Sequence, residues 1–150
     1  MRRIARGLLS LLACCIFAWI VTAIWSVGLA ESRSRAVLEQ VEDDRAGVVD
    51  FARVGPSDWE RVYFFHPYTP PQYIHQVLGF HWDDVDRTSI GSDEAINLVV
   101  FVRDGRAVGW FEHSRNRGDL KALANGTGFP RDQAQFRVVR DQEKRAVLIP

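Results

Sequence analysis

Two apolar runs, Ile96–Arg103 and Arg106–His113, flank the dipeptide Asp104-Gly105. A two-residue loop of that composition favours a type I′ turn, whose twist matches that of the strands it joins. The pattern predicts an antiparallel hairpin in which Val99 faces Trp110, Val100 faces Gly109 and Phe101 faces Val108. Leu98–Val102 is apolar at every position, so this strand is expected to be covered on both faces. Gly109 then marks a place where a neighbouring aromatic or helix comes close.

The flanking chain supplies partners for that hairpin. Trp59–His66 is β-branched and aromatic, as in a buried strand. Thr69-Pro70-Pro71-Gln72 reads as a helix start, with Thr69 as the cap and Pro70 at the first helical position. Tyr73, Ile74, Val77 and Leu78 share one face of that helix, and Gly79 is a natural stop. Two further strands are expected at Gln135–Arg140 and Lys144–Ile149. The expected fold class is α+β: a mostly antiparallel sheet of about five strands with one short packed helix, preceded by an N-terminal transmembrane helix.

Arg2, Arg3 and Arg6 open the chain, and no charged residue follows until Glu31. The run 8–30 is long enough to span a bilayer, which takes about 20 helical residues. Arginines ahead of such a run place the N-terminus in the cytoplasm. The expected organisation is a signal anchor over residues 1–30, a juxtamembrane helix and linker over 31–57, and an extracytoplasmic domain over 58–150. That is a single-pass protein of a bacterial inner (cytoplasmic) membrane, in contact with the membrane through residues 8–30. Two other fates fit the same residues: cleavage after Ala30, and a lipoprotein modified at Cys14 within Leu11-Leu12-Ala13-Cys14.

The 19 basic and 19 acidic residues cancel. Three of the basic ones precede the apolar run, so the remainder is mildly acidic, and no nucleic-acid partner is expected. The two cysteines, Cys14 and Cys15, both lie in the run. The outer domain therefore has no disulfide, no thiolate nucleophile and no cysteine-based zinc site.

Several residues together resemble a known family. They are Trp59-Glu60-Arg61-Val62-Tyr63, Pro67-Tyr68-Thr69-Pro70, Leu78-Gly79-Phe80, Asn97-Leu98-Val99-Val100-Phe101-Val102 with Asp104-Gly105, and Arg115 with Gly118-Asp119. This set is similar to a family of small, uncharacterised bacterial secreted, lipoprotein or membrane-anchored proteins. The resemblance spans about residues 58–120 and implies location and fold type. His113-Ser114 departs from the proline that the family carries before the arginine.

Catalytic signatures are missing from the sequence. No Gly-x-Ser-x-Gly, phosphate-binding loop or His-Glu-x-x-His spacing occurs. The acidic stretch from Asp84 lacks the glycine and the glutamate that a calcium loop needs, since Ser89 and Ala95 stand there. Neither a cofactor nor a metal site is expected. The expected function is a non-catalytic binding or assembly module with an envelope protein as partner. Tyr68, Phe80 and Trp82 are the candidate contact residues, since aromatic side chains dominate binding hot spots. The alternative is a tethered hydrolase or metal-binding domain using His66, His81 or His113 with Asp83 or Asp84.

Overall fold

The computed structural model describes residues 28–43 and 47–150. The expected anchor run falls almost wholly in 1–27, with Cys14 and Cys15, and so lies outside the described residues. No helix among the described residues is long and apolar enough to cross a membrane. The chain divides into two units, Met1–Ser32 and Arg33–Pro150. In the first, residues 28–32 are helical and the Ser32 hydroxyl donates to the Leu29 carbonyl at 2.9 Å.

The second unit is α+β, with two antiparallel sheets among its described residues. Its elements are helix α1 (33–42), β1 (Val48–Asp50), β2 (Arg61–Phe65), α2 (Pro71–Leu78), β3 (Ile96–Arg103), β4 (Arg106–Ser114), β5 (Phe129–Pro130), β6 (Gln135–Arg140) and β7 (Ala146–Ile149). One sheet runs β4-β3-β2-β5, the other β1-β6-β7.

The β3–β4 hairpin turns at Asp104 and Gly105, both at positive φ (49° and 67°), as a type I′ turn requires. Its register departs from expectation. Arg103 faces Arg106 and Val102 faces Ala107, but Phe101 faces Gly109, Val100 faces Trp110 and Val99 faces Phe111. Val108 is an extra residue, a β-bulge. Because side chains alternate along a strand, one inserted residue sends everything beyond it to the opposite face. The bulge thereby puts Trp110 with Val100 and puts Phe111 and His113 with Val99 and Asn97.

Both faces of the four-stranded sheet are covered. On one face Phe65, Leu98, Val100 and Val102 pack with Ile74 and Leu78 of α2 and with Trp82, Val85 and Ile90 of the following loop. The other face meets the three-stranded sheet through aromatic rings. Phe51 lies edge-on to Phe64 at 4.9 Å and to Phe136 at 5.7 Å, and Phe129 meets Phe136 at 4.8 Å. The close approach expected at Gly109 is made by α1: a Cβ there would lie 2.9 Å from Arg33 Nη1 and 2.9 Å from Pro56 Cγ.

Three sequence expectations change. Residues 33–43 and 47–57 are part of the folded unit rather than a linker, since Val37, Val41, Val49, Phe51 and Val54 are buried in its core. Among the described residues seven strands form two sheets where about five in one sheet were expected, because Val48–Asp50 and Phe129–Pro130 are too short to leave a period in the sequence. Helix α2 starts at Pro71 with Pro70 as its uncapped N-cap, because the Thr69 hydroxyl donates to the His66 carbonyl instead, at 2.6 Å. Its end is as expected: Gly79 at φ 80° donates to the His75 carbonyl.

Candidate functional site

The site grows from the break between β2 and α2. Pro67 has no amide hydrogen and ends the strand. Tyr68 then adopts φ 62°, a left-handed conformation that side chains avoid at a cost of about 1–2 kcal/mol. The turn is pinned by the Tyr68 amide, which donates to the Ile90 carbonyl at 2.8 Å, and by the buried Thr69 hydroxyl. The Tyr68 ring is left 57% exposed, with its hydroxyl 3.5 Å from Glu94 Oε2. One turn into α2, Tyr73 is 47% exposed.

Beside Tyr73 lies a recess of about 40 Å³, lined by Phe65, His66, Thr69, Tyr73, Val77 and Gly126 among others. A small-molecule site usually needs a few hundred Å³ or more. This recess is far smaller than that, and exposed Tyr73 lies at its edge.

The other expected contact residues sit differently. Phe80 is partly buried against the core beneath α2. Trp82 is only 5% exposed, and its ring meets Trp110 edge-on at 5.8 Å, so it is a core residue and offers no contact surface. The loop around it is acidic, but its apolar residues Trp82, Val85 and Ile90 all turn inward. Tyr73 was read from sequence as part of the packed helix face; its position one step off the Ile74–Leu78 stripe is the signal that it faces outward.

The candidate histidines His66, His81 and His113 do not converge. His66 follows β2, and its ring Nδ1–H donates to the Pro67 carbonyl at 2.8 Å. His81 is exposed, its ring tilted against that of His75 at 4.4 Å and 3.2 Å from Asp83, while Asp84 pairs with Arg87 at 2.9 Å. His75 Nδ1 is occupied as an acceptor for the Trp82 amide at 3.2 Å. His113 is fully buried on the opposite face of the sheet from Trp82 and its loop. Strand alternation therefore separates His113 from His81, Asp83 and Asp84. Among the described residues no three histidine, cysteine, aspartate or glutamate side chains gather as a metal site.

His113 belongs to a buried polar cluster instead. It faces Asn97 across the strands, and its Nδ1 lies 2.9 Å from the Ser34 hydroxyl of α1. Asn97 Nδ2 donates to Asp119 Oδ1 at 3.3 Å, and Arg115 grips Asp119 Oδ2 with two bonds of 3.0 and 2.7 Å. Burial raises the Asp119 pKa. The Arg115 hydrogen bonds and charge, the Lys121 amide and Asn97 outweigh it and hold the carboxyl below its ordinary value. Burial pushes the His113 imidazole down to about 4. The Arg117 carbonyl leans the other way, short of hydrogen-bonding geometry; the Arg117 cation lowers the value and the Asp119 carboxylate raises it. Sequence reading placed His113 at a strand end, and nothing in the sequence marked it as buried.

No protein-family model, curated protein or solved structure matches the chain.

Proposed function

We propose that this protein is a non-catalytic binding or assembly module of the bacterial envelope. Residues 8–30 anchor it in the inner membrane, and Tyr68 and Tyr73 form its contact surface for an envelope protein partner. The observation that carries this reading is Tyr68: a large aromatic ring held exposed on a left-handed backbone. Both features carry a cost, and strain of this kind collects where a surface is used. The recess beside Tyr73 is far smaller than a small-molecule site. The arginines ahead of an uncharged run support the anchor and its orientation, and the family resemblance supports the location.

The test is affinity capture of the full chain from its native envelope, with wild type and a Tyr68→Ala/Tyr73→Ala double variant compared side by side. A partner recovered reproducibly with wild type and lost with the double variant is expected. Recovery of no reproducible partner, or the same partners with both chains, overturns the reading.

A further inference from the structure

We propose that the Ser34–His113 contact is an acid-released latch that holds α1 on the four-stranded sheet. This inference stands apart from the Tyr68 surface and does not rest on it. Three observations carry it.

The first is the contact itself. Ser34 and His113 are both buried, 2.9 Å apart, and they join the first helix of the unit to β4. Either imidazole tautomer satisfies this hydrogen bond.

The second is the surroundings of the ring. Among the described residues His113 Nε2 and Asn97 Oδ1 are buried without a hydrogen-bond partner, the Arg117 backbone lying near the ring but short of bonding geometry. On the far side Gly118, at φ 137°, brings its backbone close: a Cβ there would sit 3.7 Å from Nε2 and 3.2 Å from Val41 of α1. Next to Ser34 on α1, Arg33 turns to the Trp110 carbonyl at 3.5 Å. From the turn after β4 come Arg117 and Asp119, the latter already held by Arg115. On β3 the facing group is the neutral amide of Asn97, and β7 contributes apolar Leu148 beside Gly118. Among the described residues a proton added to His113 is thus buried without a dedicated counter-ion, and such a charge is expensive.

The third is how α1 is held. Its fully buried apolar residues are Val37 and Val41, and its Gln40 accepts from the Asp50 amide at 2.8 Å. β4, by contrast, pairs with β3 over eight facing residues. Opening α1 hydrates His113 and leaves the two sheets in place.

The sign follows from linkage. His113 titrates at about 4 when latched and returns toward 6.5 when released. The released form binds more protons between those values, so the latch is firm above pH 6.5 and weakens as pH falls toward 4.

The test is amide hydrogen exchange on the full chain in detergent micelles at pH 7 and pH 5, with intrinsic rates corrected for pH. Opening of 33–42 is expected to rise about 20-fold at pH 5 while β3 and β4 keep their protection. Replacing the titrating group (His113→Asn) is expected to abolish the pH dependence. Ser34→Ala is expected to raise opening at both pH values and keep the dependence. Protection of 33–42 that ignores pH, a pH response that survives His113→Asn, or a loss spread evenly over the whole unit each overturns the latch. Should His113→Asn fail to fold, the wild-type imidazole titration decides by NMR: a His113 pKa near 6.5 overturns it, and one below about 5 supports it.

Discussion

Phe101 stands opposite Gly109 across the hairpin, one residue out of the register that a two-residue turn alone dictates. The Val108 bulge makes that shift, and the glycine is where Arg33 and Pro56 close over the sheet. Replacing Gly109 with Ala is expected to cost about 1–3 kcal/mol, because Pro56 cannot swing aside as Arg33 can. Urea denaturation of the variant measures it. A cost below about 0.5 kcal/mol, the range of ordinary surface substitutions, contradicts the close approach.

The segment before residue 58 is tested through Phe51. Its ring is fully buried against Phe64 and Phe136. Phe51→Ala is expected to lower stability by about 3–5 kcal/mol, as for other large core truncations. A linker residue would tolerate the change, so a loss under about 1 kcal/mol contradicts membership of the core.

Asp119 gives a pH-dependent prediction. Its carboxyl is held below the ordinary value, so its contribution is present at neutral pH and is lost as pH falls below about 4. Asp119→Asn is expected to cost about 1–2 kcal/mol at pH 7, reduced from the fully buried case because the pair is partly exposed. Wild type and variant are expected to converge in stability on acidification. Parallel curves down to pH 3 contradict the role of the Arg115–Asp119 pair.

Local rules were legible where a single residue type decides the outcome. Asp104-Gly105 specifies its turn and Gly79 its helix end, and both are where they were read. Features decided by tertiary competition were not. Thr69 had two acceptable partners, the helix amides and the His66 carbonyl, and took the second. Val108 as a bulge has no local mark, yet it determines which face Trp110 and His113 occupy. At the candidate site Tyr68 was legible as an aromatic in a turn. The burial of Trp82 was not, because the acidic loop that carries it reads as solvated.

Tyr68 separates stability from function. Tyr68→Gly relieves the left-handed backbone, and the lost ring was mostly in water. Thermal denaturation is expected to show stability unchanged or raised by up to about 1 kcal/mol, with partner capture lost. A clear loss of stability contradicts the reading that this ring is kept for its surface.

The most direct test of the central claim is in-cell photo-crosslinking with a benzophenone amino acid placed at Tyr68, and separately at exposed Arg137 on β6 as a control. A discrete envelope-protein adduct is expected from position 68 and not from position 137. No adduct at 68, or the same adducts from both positions, would contradict it.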